Sequence, residues 1–432
     1  MARVEVSSPL PLKQVELRNF RCFDSLQWSG IDPYFNVIVA PNGGGKTALL
    51  DAIAVGLAPF PRLRTKTMGW TIADWDVRRF APDGGGTLRA SADVQVRLKG
   101  GNPTLDWQVS RATSESSKTR TSEAFELTKA ARQAFVARAS GGPLPVIAYY
   151  GTARLWGHQS LTRKRLGREI EDGYLDCLDP RASFRAFEEW AGAVAQDRHN
   201  EGSGTAARHQ WDFLVWVLEQ TLRPADLKGF EYSATWQALL ARSGDGPFLP
   251  VNWHSDGTRT LLGLVGDIAR RICLLNGGIE DFDLRETRGI VMVDEVDLHL
   301  HPAWQQQVVE ALCGAFPRVQ WIVTTHSQQV VSTVPRDQVW EFHGDSENPH
   351  LQNPEMQTQG EVSSAVLATV FDVDPLPPGE WRDKLGRLDD LVDSPDGPEL
   401  EGLLQELSDH FGPTHPALRQ WEARRRHRQQ GA

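Results

Sequence analysis

Gly43, Gly44, Gly45, Lys46 and Thr47 follow one another without interruption, and these residue types suit one kind of chemistry, the handling of phosphate groups. Glycines let backbone N–H groups converge on phosphate oxygens at a helix N-terminus, a lysine reaches the terminal phosphates, and a threonine hydroxyl holds Mg²⁺. With Asn42 before them they lie in APNGGGKT, residues 40–47, which follows the pattern G-x-x-x-x-G-K-[ST] except that Ala40 replaces the first glycine. Two carboxylates, Asp294 and Glu295, stand together at the end of an apolar run. Asp294 suits a metal ion, and Glu295 suits the orientation and deprotonation of an attacking water. His326 ends a second apolar run and is a candidate sensor of a γ phosphate. Ser255, Asp256 and Gly257 precede a helical pattern and form a second anion cradle, which either caps its own helix or serves a nucleotide bound to another subunit.

Each set needs an element to hold it. FNVIVA, residues 35–40, reads as a strand buried on both faces, and Leu50, Ile53, Ala54 and Leu57 recur at helical spacing after the glycines. Strand, loop and helix therefore follow in the order a phosphate cradle requires. IVMV, residues 290–293, and VQWIVTT, residues 319–325, read as further buried strands that deliver the carboxylates and His326 at their C-terminal ends, where ligands of doubly wound sheets bind. Leu261, Leu264, Val265, Ile268 and Ile272 give the helix after Ser255 its apolar face. Pro302 predicts a helix start directly after His299 and His301, which makes a zinc site there the weaker reading, and Ser327 predicts an N-cap.

Composition bounds the rest. The chain has 432 residues, 40% hydrophobic and 24% charged, with a formal net charge of -10, which argues against a uniformly basic nucleic-acid binder. The basic runs at 163–168 and 424–428 are candidates for local phosphate contact. No apolar run approaches the ~18 residues of a membrane span, and Cys22, Cys177, Cys273 and Cys313 lack metal or redox spacing. A soluble, cytoplasmic protein without membrane contact is expected.

APNGGGKT, SDGTR, VMVDEVDLHLHP and VTTHSQQV, in this order, resemble the Walker A, signature, Walker B and switch-histidine motifs of ABC-type ATPase heads of the RecF, SMC and overcoming-lysogenization-defect group. LKQVELRNFRCF, PVIAYYGTARLW and DGYLDCLDPRASFRAFEEW sharpen the resemblance toward compact PtuA-like ATPases of Septu and retron antiphage systems, over most of residues 10–335. The resemblance implies an α/β fold, a P-loop ATPase head with a mixed sheet flanked by helices, a helical insertion and a small helical C-terminal tail. It implies ATP and Mg²⁺ as cofactors, with Asn42, Gly43, Gly44, Gly45, Lys46 and Thr47 on the nucleotide, Thr47 and Asp294 on the metal, Glu295 as general base and His326 at the γ phosphate. Ser255 and Gly257 would meet a nucleotide held by the partner of an ATP-dependent, head-to-tail homodimer or higher assembly. His301 departs from transporter-type ABC proteins, which place an aspartate there.

The function implied is that of the ATPase subunit of an antiphage defence system, its sensor or regulator, acting with a separate nuclease or effector such as an HNH protein. The alternative is a RecF-like, ATP-dependent clamp on DNA, and contact with DNA or RNA is compatible with both. The expected organisation is a lobe at 1–157 with the P-loop, a helical insertion at 158–248, a lobe at 249–345 with the remaining motifs, and a helical tail at 346–432. PVIAYY reads as a central strand, and residues 199–208, rich in glycine and serine, as a mobile loop. Residues 71–79 lie where a Q-loop belongs. Asp372 and Asp374 form a DxD pair, but the tail lacks the glutamate motif that a Toprim nuclease needs.

Overall fold

The computed structural model describes residues 8–63, 70–81, 87–112, 118–152, 169–180, 184–201, 206–344, 348–376, 378–391 and 397–430. The basic run at 163–168 lies outside them, as do residues 153–156 at the end of PVIAYYGTARLW. The chain divides into two compact units, Met1–Val366 and Leu367–Ala432.

The first unit opens with β1 (Ser8–Phe20), β2 (Phe23–Ser29), β3 (Phe35–Val39) and α1 (Lys46–Leu57). A small hairpin of β4 (Arg79–Phe80) and β5 (Arg89–Ala90) and a long one of β6 (Asp93–Asn102) and β7 (Leu105–Ala112) follow, then α2 (Phe125–Ala139) and β8 (Val146–Tyr150). Next come α3 (Phe184–Glu201), α4 (Ala206–Thr221), β9 (Leu227–Ser233), β10 (Ala238–Ser243), β11 (Phe248–Pro250) and α5 (Asp256–Asn276). The remainder is β12 (Gly289–Val293), α6 (Pro302–Gln305), α7 (Val308–Ala315), β13 (Val319–Thr324), α8 (Gln328–Val331), β14 (Val339–His343) and β15 (His350–Gln352).

Ten strands form one mixed sheet in the order β7-β6-β1-β2-β15-β14-β3-β13-β12-β8. From β14 to β8 neighbouring strands run parallel, whereas β1, β2, β6 and β7 pair antiparallel. Sequence explains the contrast. β3, β8, β12 and β13 are buried at every position, as parallel strands covered on both faces must be, while β7 alternates between buried and half-buried residues. The architecture is thus α/β, a mixed sheet flanked by helices, as the motifs predict.

The antiparallel strands also close over α1. Trp107 on β7 donates its indole N–H to the Gly56 carbonyl at 2.9 Å, and a Cβ on Gly56 would stand 2.4 Å from Leu98 on β6. Every residue of α1 but Thr47 is consequently buried, so the apolar face of Leu50, Ile53, Ala54 and Leu57 is only part of what packs.

Three local expectations need correction. PVIAYY is β8, the edge strand of the large sheet rather than a central one. It is apolar because both of its faces are covered, and the segment after it takes up hydrogen bonds along the free edge: Tyr149 N–H donates to the Cys177 carbonyl at 2.7 Å and Gly151 N–H to that of Pro180 at 2.8 Å. The stretch 199–208 is helical at both ends, with α3 running to Glu201 and α4 starting at Ala206, while residues 202–205 lie outside those described. Trp211, Leu214, Val215 and Leu218 read in the sequence as one helical face; on α4 Trp211, Leu214 and Leu218 are buried, but so are Phe213 and Val217, and Val215 is half-buried. The three-stranded antiparallel sheet β11-β10-β9 adds to the expected helices between β8 and α5.

In the second unit, helices Glu380–Asp390, Pro398–Phe411 and Pro416–Gln430 enclose a separate core that includes Leu388, Leu403, Leu407 and Trp421. Asp374 of the DxD pair is bound to Arg382 at 2.5 Å. Among the described residues no helix is long and apolar enough to cross a membrane.

Candidate functional site

β3 ends at Val39 and the chain turns through residues 40–45 into α1. Gly43 and Gly45 have φ of 78° and 93°, in the left-handed region that glycine enters at no steric cost. Gly45 is also held by contact, since a Cβ there would lie 2.4 Å from the Phe23 ring. It is the N-cap of α1 and supplies no side chain, so the first N–H groups of the helix have no side-chain cap. An anion is the partner such a helix start suits. Asn42 and Gly43 are exposed at the rim of this turn, and Gly44 is half-buried.

Lys46 is 7% exposed, and its ammonium donates to the carbonyls of Ala40 at 2.7 Å and Pro41 at 3.2 Å. Burial lowers its pKa, and the nearby carboxylates of Asp294, Glu295 and Asp297 only partly oppose this. A phosphate is the group that would compensate a lysine so placed.

Across the parallel strands the second set arrives. β13 lies between β3 and β12, with Val323 beside Val37 on one side and Val293 on the other. This register brings the ends of all three strands to one edge of the sheet. Thr47 Oγ1 donates to Asp294 Oδ2 at 2.7 Å, joining residues 247 positions apart. Asp294 is buried and Glu295 half-buried, the latter with φ of 50°, an uncommon value for a residue with a Cβ. His326 follows β13 half-buried at the same edge, and Ser327 caps α8 by accepting from Val330 N–H at 3.1 Å.

The donor set fits the groups that the motifs imply. A carboxylate and a threonine hydroxyl in contact are hard oxygen ligands of the kind Mg²⁺ takes, beside phosphate oxygens, in preference to an all-protein cage. The uncapped α1 and the buried Lys46 fit the phosphates. His301 does something else: its Nδ1 accepts from Ala303 N–H at 3.2 Å and caps α6.

Ser255 and Gly257 stand at the start of α5. Ser255 is exposed and caps α5, its Oγ accepting from Thr258 N–H at 3.3 Å and lying 2.9 Å from Thr258 Oγ1. Gly257 is buried, and a Cβ there would lie 2.5 Å from the His299 carbonyl oxygen. The glycine thus has a steric reason within its own chain, the close approach of α5 to the turn after Glu295.

Sequence reasoning passed over the residues that brace the cradle. Arg21, in the turn between β1 and β2, donates to Asp51 of α1 at 2.5 Å and to Asp76 at 2.8 Å. Burial works against its charge, yet the two carboxylates hold its pKa above the ordinary value. Asp76 belongs to the segment in which a Q-loop was expected, so this pair ties that segment to α1. An arginine within NFRCF beside Phe23 was the available signal. Thr324 is a second omission, the last residue of β13.

Fold and site together define a P-loop architecture, a glycine turn opening a helix beside the carboxylate strand end of an α/β sheet. Two family models match within it: "AAA domain" over residues 14–187 and "AAA domain, putative AbiEii toxin, Type IV TA system" over residues 177–332. The chain is similar to "Retron Ec83 probable ATPase" of Escherichia coli, with 38% identity over 39% of this chain and 31% of that protein. It is also similar to "Septu protein PtuA" of Bacillus mycoides, with 41% identity over 17% of this chain and 9% of that one. The matches therefore span less than a third of these relatives' own length. Among solved structures, an SMC head domain from Thermotoga maritima aligns with a TM-score of 0.41 and 15% identity, over 80% of this chain and all of that one.

Proposed function

We propose that the protein binds and hydrolyses ATP, and that two protomers share each site. The observation that carries the first part is the Thr47–Asp294 hydrogen bond, which joins the phosphate cradle to the carboxylate strand end beside Glu295 and His326. Lys46 and the N-terminal N–H groups of α1 bind the terminal phosphates, with Asn42, Gly43, Gly44 and Gly45 shaping the cradle. Thr47 and Asp294 hold Mg²⁺, which when bound neutralises charge on the phosphates. Glu295 orients the attacking water and takes its proton, and His326 faces the γ phosphate. Ser255, exposed at the start of α5, meets a phosphate held by the partner's cradle, and Gly257 permits the approach.

Similarity to a retron ATPase and to a Septu PtuA protein supports a place in antiphage defence. There the protein acts as sensor or regulator, and a separate nuclease or effector, for which an HNH protein is one candidate, does the cutting. The head comprises the lobes at 1–157 and 249–345, joined by β15 (His350–Gln352), with the insertion at 158–248 between them in sequence, and the helices after Val366 form the tail.

A mixture of two inactive variants tests the shared site. Lys46→Ala removes the phosphate donor and Ser255→Arg blocks the signature, yet a mixed dimer joins the intact cradle of one protomer to the intact signature of the other. ATPase should recover across mixing ratios, with subunit exchange verified by different tags. No recovery in a confirmed mixed dimer counts against sites that are shared and fire independently.

A further inference from the structure

Resting on the ATPase reading above, the geometry points to Thr324 as the residue that positions both carboxylates of the site. Its side chain is completely buried at the end of β13, and the parallel register that sets Val323 beside Val293 sets Thr324 beside Asp294. Oγ1 accepts from the Glu295 N–H at 2.8 Å and lies 2.6 Å from Asp294 Oδ1. A hydroxyl has one proton and two lone pairs, and an amide N–H can only donate. The hydroxyl therefore receives the amide on a lone pair and directs its own proton to Asp294, which as a carboxylate can only accept.

This single hydroxyl does two things. It fixes the rotation of the Asp294 carboxylate by holding Oδ1, which leaves Oδ2 turned toward Thr47, the other residue proposed for the metal. It also holds the backbone of Glu295 at a φ of 50°, a conformation that a residue with a Cβ adopts rarely without support. The direction in which the Glu295 side chain leaves the strand end depends on that φ. Thr325, next in the chain and equally buried, does something separate: its Oγ1 donates to Asp297 Oδ1 at 2.5 Å and accepts from Ser327 N–H at 3.0 Å. Thr324 is accordingly a positioning residue, acting on substrate and metal through its two neighbours.

The test reads metal binding rather than turnover. Mn²⁺ is titrated, by its paramagnetic resonance signal, into protein loaded with the non-hydrolysable analogue adenylyl imidodiphosphate. Removing a hydrogen-bond partner of a metal ligand typically weakens metal affinity by about 10–100-fold, and Thr324→Val should fall in that range while metal-free analogue affinity is unchanged. Thr324→Ala, which also lacks the hydroxyl, serves where the valine variant does not fold. Thr324→Ser should restore the wild-type value, and Thr325→Val should leave Mn²⁺ affinity near it. Unchanged Mn²⁺ affinity in the hydroxyl-less variants overturns the inference, as does a serine variant no better than valine, or an equal loss in Thr325→Val. A wild-type protein that fails to bind the analogue sinks the ATP reading along with it, whereas intact analogue binding with unchanged Mn²⁺ affinity sinks this inference alone.

Discussion

The helices α1 and α5 both start from a small residue at a turn, and both starts read in the sequence as anion cradles, but they differ in what they leave unsatisfied. α1 begins at Gly45 with no side-chain cap and is ringed by Lys46, Thr47 and Asp294. α5 begins at Ser255, whose own hydroxyl accepts from the Thr258 N–H. The comparison teaches that residue type alone does not make an anion site; the supply of open donors does. α5 is distinguished by its anchorage. Asp267, fully inside the protein, is bound by Arg270 and Arg271 at 2.7 Å each and by the Tyr150 hydroxyl at 2.9 Å, and Arg271 reaches the carbonyls of Gly173 and Leu175. Burial opposes the charge of Asp267, but the two guanidiniums overcome it and hold its pKa far below the ordinary value. One start is therefore open and chemical, the other self-capped and mechanically fixed.

The largest effect should come from the open side. Glu295→Gln keeps shape and hydrogen bonding but removes the base, and hydrolysis should slow by roughly 10²–10⁴-fold while ATP is still bound. Normal turnover with retained ATP would move the base elsewhere and strip the α1 side of its chemical character.

Anchorage of α5 gives the next effect. Asp267→Asn leaves two buried guanidiniums without their counter-charge, and breaking such a cluster costs about 3–5 kcal/mol, to be read as a lower denaturation midpoint of the head. A variant as stable as the parent would mean that α5 is not held by this cluster.

The smallest effect sharpens the contrast most. Ser255→Ala removes the cap, which costs on the order of 1 kcal/mol of stability, and with it the side chain proposed to meet the partner's phosphate. If ATPase is unchanged beyond that, α5 simply caps itself. If ATPase collapses while ATP binding to Lys46 persists, the two helix starts are halves of one site contributed by different protomers.

The local parts of this site were legible because each is encoded within a few residues. A buried run, a glycine turn and a helical pattern specify the cradle from 35 to 57, and the carboxylates and His326 follow from apolar runs that end in polar residues. The edge position of β8 was not legible, because an apolar run reports that both faces of a strand are covered and says nothing about whether both edges are paired. Arg21 and Thr324 were missed for a related reason: each acts through partners brought from other elements, Asp51 and Asp76 in one case, Asp294 and Glu295 in the other.

By itself the sequence determined the order of the motifs, the elements that carry them and the positions where the backbone turns through glycine, since these depend on neighbouring residues. Only the tertiary structure decided that Thr47 meets Asp294, that Thr324 bonds the Asp294 carboxylate and the Glu295 backbone N–H at once and that Gly257 lies against the His299 carbonyl. The physical reason is register: insertion of β13 between β3 and β12 aligns strand ends far apart in the chain at one edge, and hydrogen bonds over such distances exist only once that alignment is set.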